Sequence, residues 1–450
     1  MRELRVLSPT AILGYGFPES SFEEGMRRKP HVIAVDAGST DPGPYYLGSG
    51  KCFVDRANTK RDLEFMLQSA CQNNIPLIIG TGGGSGATPH LQRDVDIIKE
   101  IAKEKGLSFK MAIISSQIDK SVVVQALEKG ALKALFPAPL PTKESIEQST
   151  NIVAQMGPEP FLKALEQGAQ VIISGRAYDP VVFAAVALKE GYDPGLAMHM
   201  GKILECAAIA ASPGSGSDCM FGTLRDDHFE LDTLCADRKC TTVSVAAHTL
   251  YEKSTPTSLP GPGGVLDLTE TTFEQKTESA VIVRGTKYIK DENYHIKLEG
   301  ARSLGYRTIS FAAVADPVMI AEMENILQTA RERLKTQFSH LHENDYYLDF
   351  KVYGNNGASV FGGYTTQGAR EVAIIIDAVG KTPELADAIC GFVRSTLLHY
   401  GYKGRISTAG NLAFPFSPSD FRAGEVYEFN VYCLLPASPL EHFTITEETV

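Results

Sequence analysis

Short runs of aliphatic and β-branched residues recur over the first 212 positions, each followed by a glycine or polar turn and then by apolar residues at helical spacing. This is the rhythm of parallel strands joined by crossover helices. It predicts strands over Arg5–Ser8, His31–Asp36, Pro76–Gly80, Phe109–Ser115 and Gln170–Ser174, with helices over Lys60–Asn73, Pro89–Lys105, Lys120–Lys129 and Glu159–Gln167. Val32-Ile33-Ala34-Val35 and Val171-Ile172-Ile173 do not alternate with polar residues, as expected of strands covered on both faces. The expected architecture is α/β, with a Rossmann-like, doubly wound parallel sheet over residues 1–212.

Residues 213–300 read differently. The turn-rich stretches Pro213–Gly222 and Pro256–Gly264 carry no long helical period, so this is an elaborated middle region in which Val243–Ala247 reads like a strand. Over 301–450 the pattern changes again: strand Thr308–Ala313, helix Pro317–Gln337, strands Tyr347–Tyr353 and Glu371–Ala378, helix Pro383–Tyr400 and strand Tyr427–Leu434. Two such β-α-β units predict a ferredoxin-like α+β sandwich. Asp316-Pro317 and Thr382-Pro383 each put a capping side chain before proline at the first helical position, which reinforces both helix starts.

Composition narrows the function classes. The 450 residues are 43% hydrophobic and 22% charged, the balance of a globular chain of two or three domains. A formal net charge of -11, with no basic run longer than Met26-Arg27-Arg28-Lys29, argues against a nucleic-acid partner. Eight cysteines without paired short spacings fit reduced thiols, and Cys235 and Cys240 lack the second pair a structural zinc would need. Met1–Leu7 has no secretory apolar core and no apolar stretch reaches about 18 residues, so a cytoplasmic protein without membrane contact is expected. A homo-oligomer is expected as well.

Ligands of open parallel sheets gather at the carboxyl ends of the strands, where loops and helix N-termini converge. After the second strand, Asp36 and Asp41 flank Ser39 and Thr40, so the two carboxylates could serve as an acid/base pair or hold a divalent metal; such turns also cap their own backbone. The third strand opens into Gly82-Gly83-Gly84-Ser85-Gly86, a loop whose N–H groups could cradle an anion or could simply permit tight packing. The ribose-binding acid of an NAD site is missing, since the next strand ends at Ser115, and no Gly-Lys-Ser/Thr follows, so neither NAD nor a P-loop nucleotide is supported. Arg176 follows the fifth strand, where its fork suits bidentate capture of a carboxylate or phosphate, with Asp179 as its partner or as a helix cap.

Gly195–Ala211 reads as a helix that stacks His199, Lys202 and Cys206 on one stripe with Glu205 beside Lys202. The stripe either lines the site or is a solvated face with a satisfied histidine. Cys206 fits core better than nucleophile, and His248 is a second histidine candidate.

Ile33–Gly43, the glycine loop, Gly175-Arg176-Ala177-Tyr178-Asp179, Gly201–Cys206 and Ala247–Glu252 with Pro262-Gly263-Gly264 resemble the acyclic terpene utilisation AtuA family. The resemblance covers most of residues 1–350. Its Glu-Cys helix more often carries histidine where this chain has Lys202. The C-terminal repeat resembles the ferredoxin-fold domain that accompanies AtuA proteins, here fused. The resemblance implies a role in catabolism of acyl-CoA and carboxylic-acid intermediates.

The residues and the resemblance together predict an acid/base enzyme of a small anionic carboxylate or acyl-CoA, a hydratase/dehydratase-type lyase or an isomerase. In this reading Asp36, Asp41, His199 and Glu205 move protons, while Ser39, Thr40, Gly82–Gly86, Ser115, Arg176, Asp179 and Lys202 hold the substrate. A nucleotide-dependent ligase or kinase and a non-catalytic subunit or scaffold remain the alternatives.

Overall fold

The computed structural model describes residues 2–253, 255–342, 344–354, 369–406 and 408–450. They form two compact units, Met1–Arg302 with Phe429–Val450, and Ser303–Glu428.

In the first unit five strands, Leu4–Ser8, Val32–Asp36, Leu77–Gly80, Val171–Ser174 and Lys110–Ile114, lie side by side in that order and run parallel. Their side chains divide between two cores. Val32, Ala34, Ile78 and Ile172 pack with Val181, Phe183 and Phe161, whereas Ile33, Val35, Ile79 and Ile173 pack with Leu63, Met66, Ile97 and Ile101. Burial on both faces explains the continuous apolar runs.

The whole sheet has ten strands and is mixed, a correction to the all-parallel expectation. Met220–Leu224 pairs antiparallel with Leu4–Ser8 and continues through Phe229–Thr233, Ala280–Arg284 and Thr272–Gln275, while Ile445–Thr449 pairs antiparallel with Lys110–Ile114 at the other edge. The added strands come from distant segments, so no local rhythm announces them.

The segment expected as a strand at Val243–Ala247 is a helix, Thr242–Thr249. Thr241 and Ser244 form a reciprocal capping box, and Val243 is 76% exposed while Val245 is fully buried. In a strand those two valines would share a face. The helix expected over Gly195–Ala211 stops at Leu204 and resumes as a short turn at Ala207–Ala210.

The second unit has β-α-β-β-α-β connectivity. Its strand order is Tyr346–Tyr353, Val372–Gly380, His295–Val314, Asp420–Pro436, the last two strands running on into the first unit's residues. Ala312, Ile374 and Ile376 pack against Ile326, Leu334, Ile389 and Val393 of the helices. The Asp316 carboxylate accepts from the Val318 and Met319 N–H groups, and the Thr382 hydroxyl accepts from Leu385 N–H, as the capping pattern required. The helix expected over Pro317–Gln337 is interrupted at Glu322.

Candidate functional site

Strand order puts the carboxyl ends of Val32–Asp36, Leu77–Gly80 and Val171–Ser174 next to one another, which brings Asp36, Thr81 and Arg176 to one edge of the sheet. Arg176 is 3% exposed. Its Nε donates to Glu299 Oε2 (2.8 Å), and its Nη1 donates to Asp179 Oδ1 (2.6 Å) and to the Ala177 carbonyl (2.5 Å). Glu299 arrives from far along the chain, on a strand whose residues 297–302 pair antiparallel with Ser149–Gln155. Met156, just beyond that partner, exchanges backbone hydrogen bonds with Arg176 and Tyr178.

The other oxygen of Glu299 accepts from Lys297 Nζ (2.8 Å) and the Thr40 hydroxyl (2.9 Å). Burial alone would raise its pKa, but Arg176 and Lys297 prevail and bring it down to about 2. Glu299 is therefore a permanent counter-ion, and Arg176 is ion-paired to two carboxylates.

Asp36 is different. It is 5% exposed and its Oδ1 is buried without a hydrogen-bond partner among the described residues. Burial, then the charge of Asp179, push its carboxyl well above the usual range, against the pull of Arg176, Thr81 and the Gly38 N–H. Glu205 is the second such group, with Oε2 unpartnered and Oε1 accepting from Lys202 Nζ at 2.5 Å. Burial also raises its pKa well above normal, helped by Asp179 and opposed by Lys202.

The helix Pro194–Leu204 delivers Lys202 and Glu205. The Asp193 carboxylate caps it by accepting from Leu196 N–H (2.9 Å), and Pro194 occupies the first turn. A Cβ on its Gly201 would overlap the Pro180 carbonyl, so glycine there permits the close packing on helix Asp179–Lys189.

Two adjoining cavities open at this edge and share Asp41, Asp179 and Glu252 in their walls. One, about 320 Å³, is bounded by Arg176, Tyr178, Lys202, Lys253 and Lys297. The other, about 270 Å³, is bounded by Asp36, Glu205, Cys206, Ile209, Ile12 and Tyr251.

Several expected residues do other work. The N–H groups of Thr81, Gly82, Gly83, Gly84 and Gly86 donate to Gly175 O, Ser174 O, Asp94 Oδ2, Thr81 O and Gly82 O. Ser85 is buried with them, and none of these residues lines either cavity. A Cβ on Gly86 would overlap the Arg176 amide nitrogen, so the glycines permit close backbone approach and the expected anion cradle is a packing turn. Ser39 does line the smaller cavity, where its hydroxyl donates to Asp41 Oδ2 (2.6 Å) in an exposed turn that caps itself, while Thr40 serves Glu299. Ser115 lies outside the cavities; its neighbour Ser116 instead accepts from the Arg176 N–H at 2.6 Å.

His199 also stands apart. Its ring nitrogens bond to Thr286 and Thr249 hydroxyls at 2.7 and 3.0 Å, and burial lowers its pKa to about 3. His248 stacks on Tyr251, with burial and then Lys202 lowering it to about 4. Cys206 lines the smaller cavity with its thiol pKa raised by burial and Glu205, the opposite of an activated nucleophile. Among the described residues no group of three or more His, Cys, Asp or Glu side chains is arranged to hold a metal ion, and no helix is long and apolar enough to cross a membrane.

Glu299, Lys297, Lys253 and Glu252 were missed by residue-by-residue reading. Tyr178 was within reach, since it sits in the Gly175–Asp179 segment beside the arginine.

A family model described as acyclic terpene utilisation family protein AtuA matches residues 56–216 and 236–416, most of the chain. The chain belongs to the AtuA family. The matched segments of this AtuA-family chain include Arg176, Tyr178, Asp179, Lys202, Glu205 and Glu299, while Asp36 and Asp41 precede them. No curated protein and no solved structure matches it.

Proposed function

We propose that the chain is a catabolic enzyme that moves a proton beside the carbonyl carbon of a small carboxylate or acyl thioester, as a hydratase/dehydratase-type lyase or an isomerase. One observation carries this reading: Asp36 and Glu205, two buried carboxyls with raised pKa values and one unpartnered oxygen each, border the same cavity. Asp36, whose carboxyl is raised by burial and whose free oxygen has no ion pair, serves as the acid. Glu205, also raised and ion-paired to Lys202, serves as the acceptor and is more basic than a solvated glutamate. Arg176 and Lys297, each ion-paired within the protein, fix the positive field around the developing charge.

The family description, terpene utilisation, supports a catabolic setting. The parallel core and the β-α-β-β-α-β order support reading the two units as Rossmann-like and ferredoxin-like. A nucleotide-dependent ligase or kinase loses its main support once the glycine-loop N–H groups are occupied within the protein.

The test is deuterium incorporation. The protein is incubated in D2O with hydroxy acids, unsaturated acids and their thioesters, and exchange at the carbon beside the carbonyl is followed by NMR. Exchange by the wild type that vanishes in Asp36→Asn and Glu205→Gln is expected. No exchange across the panel, or exchange that survives both substitutions, refutes the proposal.

A further inference from the structure

The larger cavity is bounded by four cations, but three of them are matched. Arg176 faces Asp179 and Glu299, Lys297 shares Glu299, and Lys202 faces Glu205 and Glu252. Lys253 differs. Its Nζ donates to the Pro256 carbonyl at 3.1 Å and has no acidic partner among the described residues.

In the same wall the Tyr178 hydroxyl is buried without a partner among the described residues, although the residue is only 8% exposed. Its ring cannot swing away from the cavity freely, because Gly261 packs so closely on it that a Cβ there would overlap the ring. A buried hydroxyl left unpaired is unfavourable, so a ligand atom that accepts from it gains the whole difference. Burial and the nearby Lys202 depress Lys253, a like-charge tension that a bound anion relieves.

We infer that the larger cavity is a subsite for a single carboxylate, bound by Lys253 and the Tyr178 hydroxyl, so that the substrate enters as a free acid rather than as a CoA thioester or a nucleotide. This rests on the proton-transfer reading above and narrows its substrate class. One unmatched cation and one unmatched hydroxyl suit one carboxylate group. The several phosphates of CoA or ATP would meet Asp179 and Glu252 in the same wall without further free cations to offset them. The smaller cavity, with Ala11, Ile12, Ile209 and Tyr251, receives the apolar remainder.

Binding tests the subsite without requiring turnover. Thermal shift and calorimetry are run on the full chain with hexanoate, hexanoyl-CoA and ATP with magnesium, using wild type, Lys253→Met, Lys253→Arg, Tyr178→Phe and Lys239→Met. Hexanoate is expected to stabilise the wild type, to lose that effect with Lys253→Met, to keep most of it with Lys253→Arg, and to bind about tenfold more weakly with Tyr178→Phe. Lys239→Met, at an exposed lysine outside both cavities, should bind hexanoate as the wild type does. The inference is overturned if hexanoate leaves the wild type unshifted, if Lys253→Met binds it normally, or if hexanoyl-CoA or ATP shifts the wild type more than hexanoate does. Lys253-dependent binding in a protein that exchanges no deuterium would uphold the subsite and remove only the proposed reaction.

Discussion

Replacing Glu299 with glutamine removes one negative charge from the best-satisfied ion cluster in the first unit. The carboxylate is 2% exposed and accepts from Arg176 at 2.8 Å, Lys297 at 2.8 Å and Thr40 at 2.9 Å. Its pKa falls from the usual carboxylate range to about 2, because Arg176 and Lys297 overcome the burial that would raise it. A lowered folded-state pKa means that the unfolded chain binds the proton more readily. The stabilisation is thus present at neutral pH and fades as pH falls from the unfolded value through the folded one. The shift corresponds to about 3 kcal/mol at pH 7, of which about half remains at pH 3. Breaking a buried pair by removing one partner gives a similar figure, about 3–5 kcal/mol. With a urea slope of about 3 kcal/mol per molar, Glu299→Gln should lower the unfolding midpoint by about 1 M at pH 7. The chain has no tryptophan, so far-UV circular dichroism is the signal. The gap between wild type and variant should narrow as the buffer is taken from pH 7 toward pH 3. An unchanged midpoint, or a gap that ignores pH, would show that the cluster does not hold Glu299 as a strong counter-ion.

Thr40→Val should cost about 1.5–3 kcal/mol in the same urea assay, the range for a hydrogen bond to a charged group, and a loss below that range would mean Thr40 is not a donor to Glu299. Asp36→Asn should raise the urea midpoint at pH 7 while abolishing exchange: its carboxyl has a raised folded-state pKa, so it opposes folding at high pH and regains stability as pH falls. Gly86→Ala should destabilise by about 2 kcal/mol or more, since φ is +71° and the new methyl group would meet the Arg176 backbone; normal stability would place that contact in doubt. The acidic limb of the wild-type exchange rate against pH should lie above the ordinary carboxylate range, as raised carboxyls require; a limb within that range would show that neither carboxyl is raised.

The apolar runs at Val32–Val35 and Val171–Ile173 were enough to announce buried parallel strands, because a strand covered on both faces has no polar alternate to show. Asp316 and Thr382 before their prolines marked helix starts for the same local reason, a side chain capping N–H groups two or three residues on. That Asp36 and Arg176 stand at strand ends was also legible, from the apolar runs that precede them. Other features were not local. Glu299 lies 123 residues from Arg176 and meets it only because a late strand pairs with Ser149–Gln155. The glycine loop looked like an anion cradle until the folded chain supplied an acceptor for the N–H groups of its four glycines.

The sequence by itself determined where the buried parallel strands lie and which caps begin the helices after Asp316 and Thr382, because those choices depend on spacing and on neighbours a few residues away. Only the tertiary structure decided which charges are matched. Arg176 is ion-paired, Lys253 is not, and Asp36 and Glu205 share a cavity because strand order and helix packing carry distant residues together, and burial then shifts the carboxyls.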